Sequence, residues 1–577
     1  MVSSLFVLDA VLPLRFVGLP DALLTRLGTW PLWPAHILFP QFEVLQQVVH
    51  KNVPNSIAIE QGWKETAFLL GAFMFVLLSY LFALRSVVRF VTFRYIFIST
   101  ALLGMICVVF ATVPSGDIFS YVAYARMGVI YHLNPLVALP AQISHDIVFP
   151  YLYWIDQPSI YGPTWVIITS MTQWLLLKCG LPGLVPMILS LRLIGLAMHL
   201  GSVVLVWSMS GQLQRLYDRI STKKRVFATL AFAWNPLLLL EACANAHVDA
   251  TALFLVLLAI WFLLKGHTTK HALLALIPVA LFFAIAVCLK LNIVLLVLGL
   301  LLYLWFQQDN IRKLLVFSGT FLGAMVLLYA PFWQNGKLLH TIIGTPATNR
   351  NINTLQDFFS NLINGIMNLP VHRIITHARI HTYSHPHPNI HTLTHPHPII
   401  HTLTHPYVYI VSPADRSSHL ISMGIFLILL MYLCWWVIRV PERINNVPAL
   451  IRWLALVWLL YCMVGSPWFW PWYLVTFFGL FALVEATTDR ETWVLGVFHM
   501  PLLARLLTAS AVTLYCFSSW AALHSFVPGL FYFYWSDFRG LYMWLIPLFG
   551  INFSMIKHSH AKVSEINSGF RRWKDRA

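Results

Sequence analysis

Apolar residues in this chain come in runs far longer than the roughly 10 to 14 residues of a buried core helix, and many approach the roughly 20 needed to cross a bilayer. The pattern predicts spans at about 66–84, 95–113, 184–209, 226–244, 250–265, 272–289, 291–306, 314–333, 418–438, 450–465, 470–487, 496–520 and 538–556. A further apolar helix is predicted at about 161–178. It carries Thr164, Thr169, Ser170, Thr172 and Gln173, which suits a segment lying in the interface or dipping part way better than a lipid-facing span. Backbone amides in lipid must be satisfied within their own segment, so the elements are expected to be helices. The fold class expected is all-α, a polytopic membrane helix bundle of about 13 spans.

Composition supports this reading. Of 577 residues, 59% are hydrophobic and only 10% charged, which excludes an ordinary soluble globule. The formal net charge of +16 is spread through short loops and the C-terminal tail, so it orients a membrane protein and does not point to nucleic acid. Arg85, Arg89 and Arg94; Arg215 to Arg225; Lys265 and Lys270; Arg312 and Lys313; Arg439, Arg443 and Arg452; and the tail Arg571 to Arg576 are assigned to the cytoplasmic side. Asp117 to Ile160, Asn245 to Asp249, Lys290 to Asn292, Gln334 to Asp415 and Ser466 to Tyr473 then face outward. The seven cysteines show no CxxC or zinc spacing and read as small apolar residues.

The implied organisation is a 1–65 segment, at the membrane surface or as one poorly formed span and without the pattern of a secretory signal, a membrane core over 66–333 with an outer loop at 114–160, an outer loop at 334–415, further membrane helices over 416–556, and a basic tail at 557–577. The 334–415 loop holds a His/Pro-rich insert at 376–406 with a decapeptide repeat whose first copy is IHTYSHPHPN, and ten of the 24 histidines lie between His372 and His405. Such a tract is capable of binding metal, but its prolines prevent a packed helix and favour a flexible insert.

Ionisable groups at the edge of an apolar bundle are costly, and here they collect on the outer side. SGDIFSYVAYARMGVIYHLNPL supplies Asp117, Tyr121, Tyr124, Arg126 and Asn134, with Asp146 and Asp156 following. Asp117 is placed to take a proton from a bound molecule, with Arg126 as a neighbouring cation; the structural alternative is a helix N-cap. WNPLLLLEACANAHVDA joins two apolar helices through Asn245, His247 and Asp249, residues that serve either a site or a plain turn. Glu241, a turn earlier, needs a partner if buried; Arg192, deeper in the bundle, either pairs with it or faces a cavity. Lys290 is directed into the outer half of the bundle, where a point charge suits phosphate or snorkels to the interface. GSPWFWPWY puts Trp472 and Tyr473 in an aromatic entrance, for anchoring or for stacking on a sugar or isoprenoid.

Asp117 after an early span, the NPL block, YGPTW with Tyr161, the WNPLLLLE...NAHVD hairpin, YAPFW and PWFWPWY occur in this order over about 66–480. This order resembles the GT-C superfamily of membrane glycosyltransferases, and within it the bacterial polyprenyl-phosphate-mannose-dependent alpha-mannosyltransferases. The resemblance implies a GT-C-like bundle whose extracytoplasmic first large loop carries short helices and Asp117 as general base, with inversion at the anomeric carbon. The chain departs from that pattern in an extra apolar helix before the aspartate, in HVD for the more usual HND, and in the histidine repeat.

A glycosyl phosphate is already activated, so a base, in-line positioning and cations on the departing phosphate suffice. Asp117 is the expected base, with Arg126, Tyr124, Asn134, Tyr161, Asn245, His247, Asp249, Lys290, Trp472 and Tyr473 on substrate. No metal or other cofactor is expected, as the first outer loop has no DxD triplet. The expected partners are the bilayer, a polyprenyl-phosphate sugar, and a glycan or glycolipid acceptor at the outer face of a bacterial plasma membrane. A lipid-sugar flippase and a glycan ligase or polymerase are the competing readings. The first is disfavoured because the sequence shows no matched halves with midplane charges.

Overall fold

The computed structural model describes residues 1–14, 17–18, 34, 37, 55–86, 91–217, 222–266, 273–339, 352–366, 413–487, 500–518 and 539–547. The His/Pro-rich repeat at 376–406 and the basic tail lie outside these. The described helices, in chain order, are α1 Val2–Val11, α2 Asn55–Ser86, α3 Phe93–Val108, α4 Asp117–Val129, α5 Pro163–Lys178, α6 Leu184–Tyr217, α7 Thr222–Ala233, α8 Pro236–Leu239, α9 Val248–Gly266, α10 Leu276–Val287, α11 Val294–Trp305, α12 Asn310–Tyr329, α13 Leu355–Ile366, α14 Pro413–Arg439, α15 Val447–Leu460, α16 Leu474–Thr487 and α17 Met500–Ser518. The fold is an all-α bundle of the membrane type. Among the described residues six helices are long and apolar enough to cross a membrane, or seven if the pair Thr222–Ala233 and Pro236–Ala244, bent by 44°, counts as one span.

The helices fall where the apolar runs placed them, with instructive exceptions. The run at 95–113 is not helical to its end: α3 stops at Val108, and Thr112–Val113 pairs antiparallel with Val17–Gly18. The reason is Arg192, fully buried on α6. Its guanidinium donates to the carbonyls of Val108 (3.0 Å), Phe110 (2.8 Å), Thr112 and Ala244 (Nε, 2.7 Å). Freed carbonyls at a helix end need donors, and a buried guanidinium has five N–H groups in a fixed fork. Arg192 therefore does not pair with Glu241, as the sequence allowed; it ties the segment leading into Asp117 to the segment leading into His247. The N-terminus also joins this packing, since Leu5, Leu8 and Val11 are buried in the main core and Asp9 accepts from the Ala111 amide.

A second exception is the break inside 226–244. Asn235 caps the Leu237 amide at 3.0 Å with Pro236 at the first helical position. A new helix therefore starts at an angle. It closes in a π-turn, Leu240–Ala244, whose Ala242 carbonyl lies against Gly195 so closely that any Cβ there would collide with it. The helix at 161–178 is α5, 16 residues long and packed on α4 and α6; it is not among the helices that pass as spans.

Candidate active site

The polar groups meet at one end of the bundle, brought there by five chain segments. Asp117 opens α4 after Gly116. A carboxylate in a first turn is favoured by the helix dipole. Its side chain does not act as a cap: Oδ2 accepts from the Tyr161 hydroxyl at 2.9 Å. Tyr161 is held in turn by docking of the α5 N-terminus on the chain before Lys290. The Gly162 amide donates to the Leu289 carbonyl (3.1 Å) and the Thr164 amide to that of Cys288 (3.2 Å). Only glycine fits at 162, because a Cβ would run into the Cys288 carbonyl oxygen.

The 245–249 hairpin supplies the next groups. The His247 amide donates back to the Glu241 carbonyl at 2.8 Å, and Ala246 sits at φ 52°, a strained value for a residue with a Cβ. His247 Nδ1 thereby lies 3.9 Å from Asp117 Oδ2 and 3.3 Å from the Tyr121 hydroxyl. Trp472 stacks on the imidazole, ring centroids 3.9 Å apart and 19° from parallel. Asp249, at the start of α9, accepts from Lys290 Nζ at 2.7 Å, and Lys290 also stands 3.8 Å over the Tyr473 ring. Its side chain keeps 14% of its surface open and that of Asp117 keeps 22%, whereas His247 and Asp249 are closed off.

The electrostatics follow from this packing. Burial raises the Asp117 carboxyl from 3.8 to about 6; the Tyr161 hydrogen bond and the Lys290 charge pull it back, and the Asp249 charge adds to the rise. Burial first, then Lys290, holds His247 well below 6.5, so it is neutral. Tyr161 is pushed well above 10 by burial and by Asp117, so its hydroxyl keeps the proton it donates. A carboxylate near neutrality beside a neutral imidazole and a partly open cation can accept a proton and hold an anion.

Of the residues expected in the site, Asp117, Tyr161, His247, Asp249, Lys290, Trp472 and Tyr473 come together. Asn245 lies behind His247 and donates to Glu241 Oε2 at 3.0 Å. Three are turned to other work. Arg126 is spent on Asp146 (2.8 and 2.9 Å) and the Pro182 carbonyl; Tyr124 donates to the Gln157 carbonyl (3.3 Å); Asn134 donates to that of Phe332 (2.9 Å). The outer loop folds back to hold Tyr124 and Arg126, and the turn after α12 takes Asn134. The cation acting on Asp117 is Lys290.

Sequence reasoning named Tyr121, one turn along α4 from Asp117, in the outer cluster but gave it no role, although that spacing carries the signal, and it left out one further member. Tyr515 on α17, which donates to Glu241 Oε1 at 2.7 Å across 274 residues, carried no such signal.

A carboxylate, a cation and stacked aromatic rings gathered at one end of a membrane helix bundle are the parts of a membrane-embedded glycosyltransferase of GT-C-like type. Residues 37–307 match the family model MptA_B_family, Alpha-(1->6)-mannopyranosyltransferase, N-terminal domain. The chain is an enzyme, a membrane mannosyltransferase. No curated protein and no solved structure matches it.

Proposed function

We propose that this mannosyltransferase takes mannose from a polyprenyl-phosphate donor and transfers it to an extracytoplasmic glycan or glycolipid, with Asp117 as general base and inversion at the anomeric carbon. The acceptor oxygen attacks the anomeric carbon while its proton passes to Asp117; the bond from that carbon to the phosphate oxygen breaks, and its electron pair leaves with the lipid phosphate. Lys290 stabilises the charge on that phosphate, released from Asp249 as the anion arrives. Phosphate departs without being protonated, so one carboxylate suffices, unlike glycoside hydrolysis. The reaction is cofactor-free and metal-independent in this reading, and Trp472 and Tyr473 wall the sugar. The linkage is α-(1→6), the one that the matched family's description carries. The site faces outward across a bacterial plasma membrane on a bundle of about 13 spans.

The observation that carries the proposal is the pairing of exposures: the proton acceptor and the cation both keep open surface at one mouth, while the groups that orient them are buried. The test is release of polyprenyl phosphate by purified protein in lipid given polyprenyl-phosphate mannose and acceptor. Asp117→Asn is expected to cut it by about 10²- to 10⁴-fold with the fold intact. Ordinary turnover in that variant overturns the base assignment, and transbilayer movement of the donor without bond cleavage overturns the enzyme reaction proposed.

A further inference from the structure

A row of half-buried tryptophans adjoins the site, and the transfer step itself does not use it. The row starts from Trp472, which stacks on His247 at 3.9 Å and, 2° from parallel, on Trp470 at 5.1 Å. Two rings so close and so nearly parallel to Trp472 would overlap on a single face, so they lie on opposite faces. Trp472 therefore presents neither face to a ligand. The next ring, Trp470, is only half-buried and keeps surface open beyond that stack.

The backbone fixes how the row continues. The Ile352 amide donates to the Pro467 carbonyl (2.9 Å), the Phe469 amide donates to the Ile352 carbonyl (3.0 Å), and the Asn353 side chain donates to the Phe469 carbonyl (3.2 Å). Trp470 is extended, with φ −137° and ψ 157°. In extended chain successive side chains point to opposite sides. Phe469 is accordingly buried against Tyr473 and Trp544, while Trp468 and Trp470, two residues and roughly 7 Å apart, share the half-open side. The outer loop adds the next ring: Trp154 lies against Trp468, centroids 5.5 Å apart. The Ile155 carbonyl accepts from the Ala141 amide (2.9 Å) and that of Gln157 from Tyr124 on α4 (3.3 Å). The stretch that carries Trp154 is thus tied to the helix that carries Asp117.

The chemistry of the surface selects its ligand. The face of an indole is electron-rich and matches the C–H groups on the flat side of a sugar ring. No Lys or Arg occurs in 144–160 or 461–473, and Asp156, two residues after Trp154, is exposed. Such a surface suits neutral hydroxyls and disfavours an anionic headgroup. Membrane anchoring asks only that aromatic rings reach the interface. Here backbone bonds pin the rings, and the row is continuous with the stack on His247. The donor brings a single sugar ring, so further ring platforms serve the acceptor.

We infer that Trp470, Trp468 and Trp154 form an acceptor subsite that binds a neutral glycan by stacking, and that the acceptor is an oligosaccharide with sugar rings beyond the one that reacts. This rests on the transferase reading proposed above, though not on Asp117 as its base.

The test compares transfer from polyprenyl-phosphate mannose to mannosides of one and of four rings, using purified protein in lipid. The unaltered protein is expected to show a KM at least about tenfold lower for the four-ring mannoside. Trp154→Ala is expected to remove that advantage, raising the four-ring KM by about tenfold while donor KM and transfer to the one-ring mannoside stay unmoved. Trp154→Phe restores a ring and is expected to recover most of the loss. Trp468→Ala reads the same split should Trp154→Ala fail to fold. Equal KM for the two mannosides in the unaltered protein overturns the inference. So does a length advantage that survives both alanine variants, or a loss shared equally by the two mannosides, which marks packing or lipid anchoring alone.

Equilibrium binding of the four-ring mannoside to Asp117→Asn protein separates this inference from the proposed function, because it needs no turnover. Binding that weakens about tenfold when Trp154→Ala is added supports the subsite whatever becomes of the base. Binding indifferent to Trp154→Ala sinks the subsite and leaves the proposed function standing. Donor moved across the bilayer without bond cleavage sinks the function first.

Discussion

Arg126–Asp146 and Lys290–Asp249 are ion pairs of nearly equal length, 2.8 and 2.7 Å, in opposite circumstances. Asp146 is saturated: it accepts from Arg126 through both oxygens, from the Tyr131 hydroxyl at 2.8 Å and from the Val148 amide at 2.9 Å, while Arg126 spends a further N–H on Pro182. Asp249 gives Oδ1 to Lys290 and leaves Oδ2 buried without a well-formed hydrogen bond among the described residues, and Lys290 holds an open side toward the mouth of the site. Buried polar groups in folded proteins are normally satisfied, so the half-satisfied pair is the one that needs a reason. A saturated pair holds the outer loop in shape, and a half-satisfied pair waits for something to bind.

The largest effect expected from this comparison is on the saturated side. Asp146→Asn leaves Arg126 buried without its counter-charge, a change that typically costs about 3 kcal/mol or more. Thermal unfolding in detergent should show it, with turnover per folded molecule unchanged. The hydrogen bonds from Arg126, Val148 and Tyr131 outweigh burial and hold the Asp146 carboxyl below its usual value of 3.8. Its stabilisation is therefore complete above that value and is lost as pH falls through the folded value. A loss of turnover with no loss of stability would reverse the roles assigned to the two pairs.

Lys290→Ala is the matching test on the other side. Removing one charge-stabilising group from a site of this kind costs roughly 100-fold in rate. The loss should appear with the lipid-phosphate donor as turnover per folded molecule; stability falls as well, because Asp249 is left buried without its counter-charge. If turnover per folded Lys290→Ala is unchanged while Asp146→Asn abolishes it, the contrast between the pairs fails.

The same contrast explains what could be read from the sequence. Helices were legible because lipid admits little else, and the site's outer residues were legible because each lies at the end of an apolar run: Asp117, the 245–249 hairpin, Lys290, Trp472 and Tyr473. The partners were not. Nothing in spacing tells that Asp146 returns 20 residues to claim Arg126, or that Tyr515 reaches Glu241. Arg192 was visible as a buried charge, yet its true partners are backbone carbonyls, which carry no sequence signal at all.

The smallest effect, and the sharpest, concerns Tyr161. Its hydroxyl donates to Asp117 at 2.9 Å and is one of two influences restraining the rise of that carboxyl to about 6. A general base works only when ionised, so turnover should climb with pH through a midpoint near 6 in the unaltered protein. Tyr161→Phe removes a hydrogen bond made to the ionised form and leaves burial in place. Asp117 should then hold its proton to higher pH, shifting the acidic limb of kcat/KM upward, while the rate on the high-pH plateau changes by less than about tenfold. Lys290→Ala should shift the limb the same way, because its charge also restrains the rise. It differs in lowering the plateau, since Lys290 also meets the phosphate. A Tyr161→Phe profile superimposable on the unaltered one would mean that the group titrating near 6 is not Asp117, and the half-satisfied end of the molecule would then need another base.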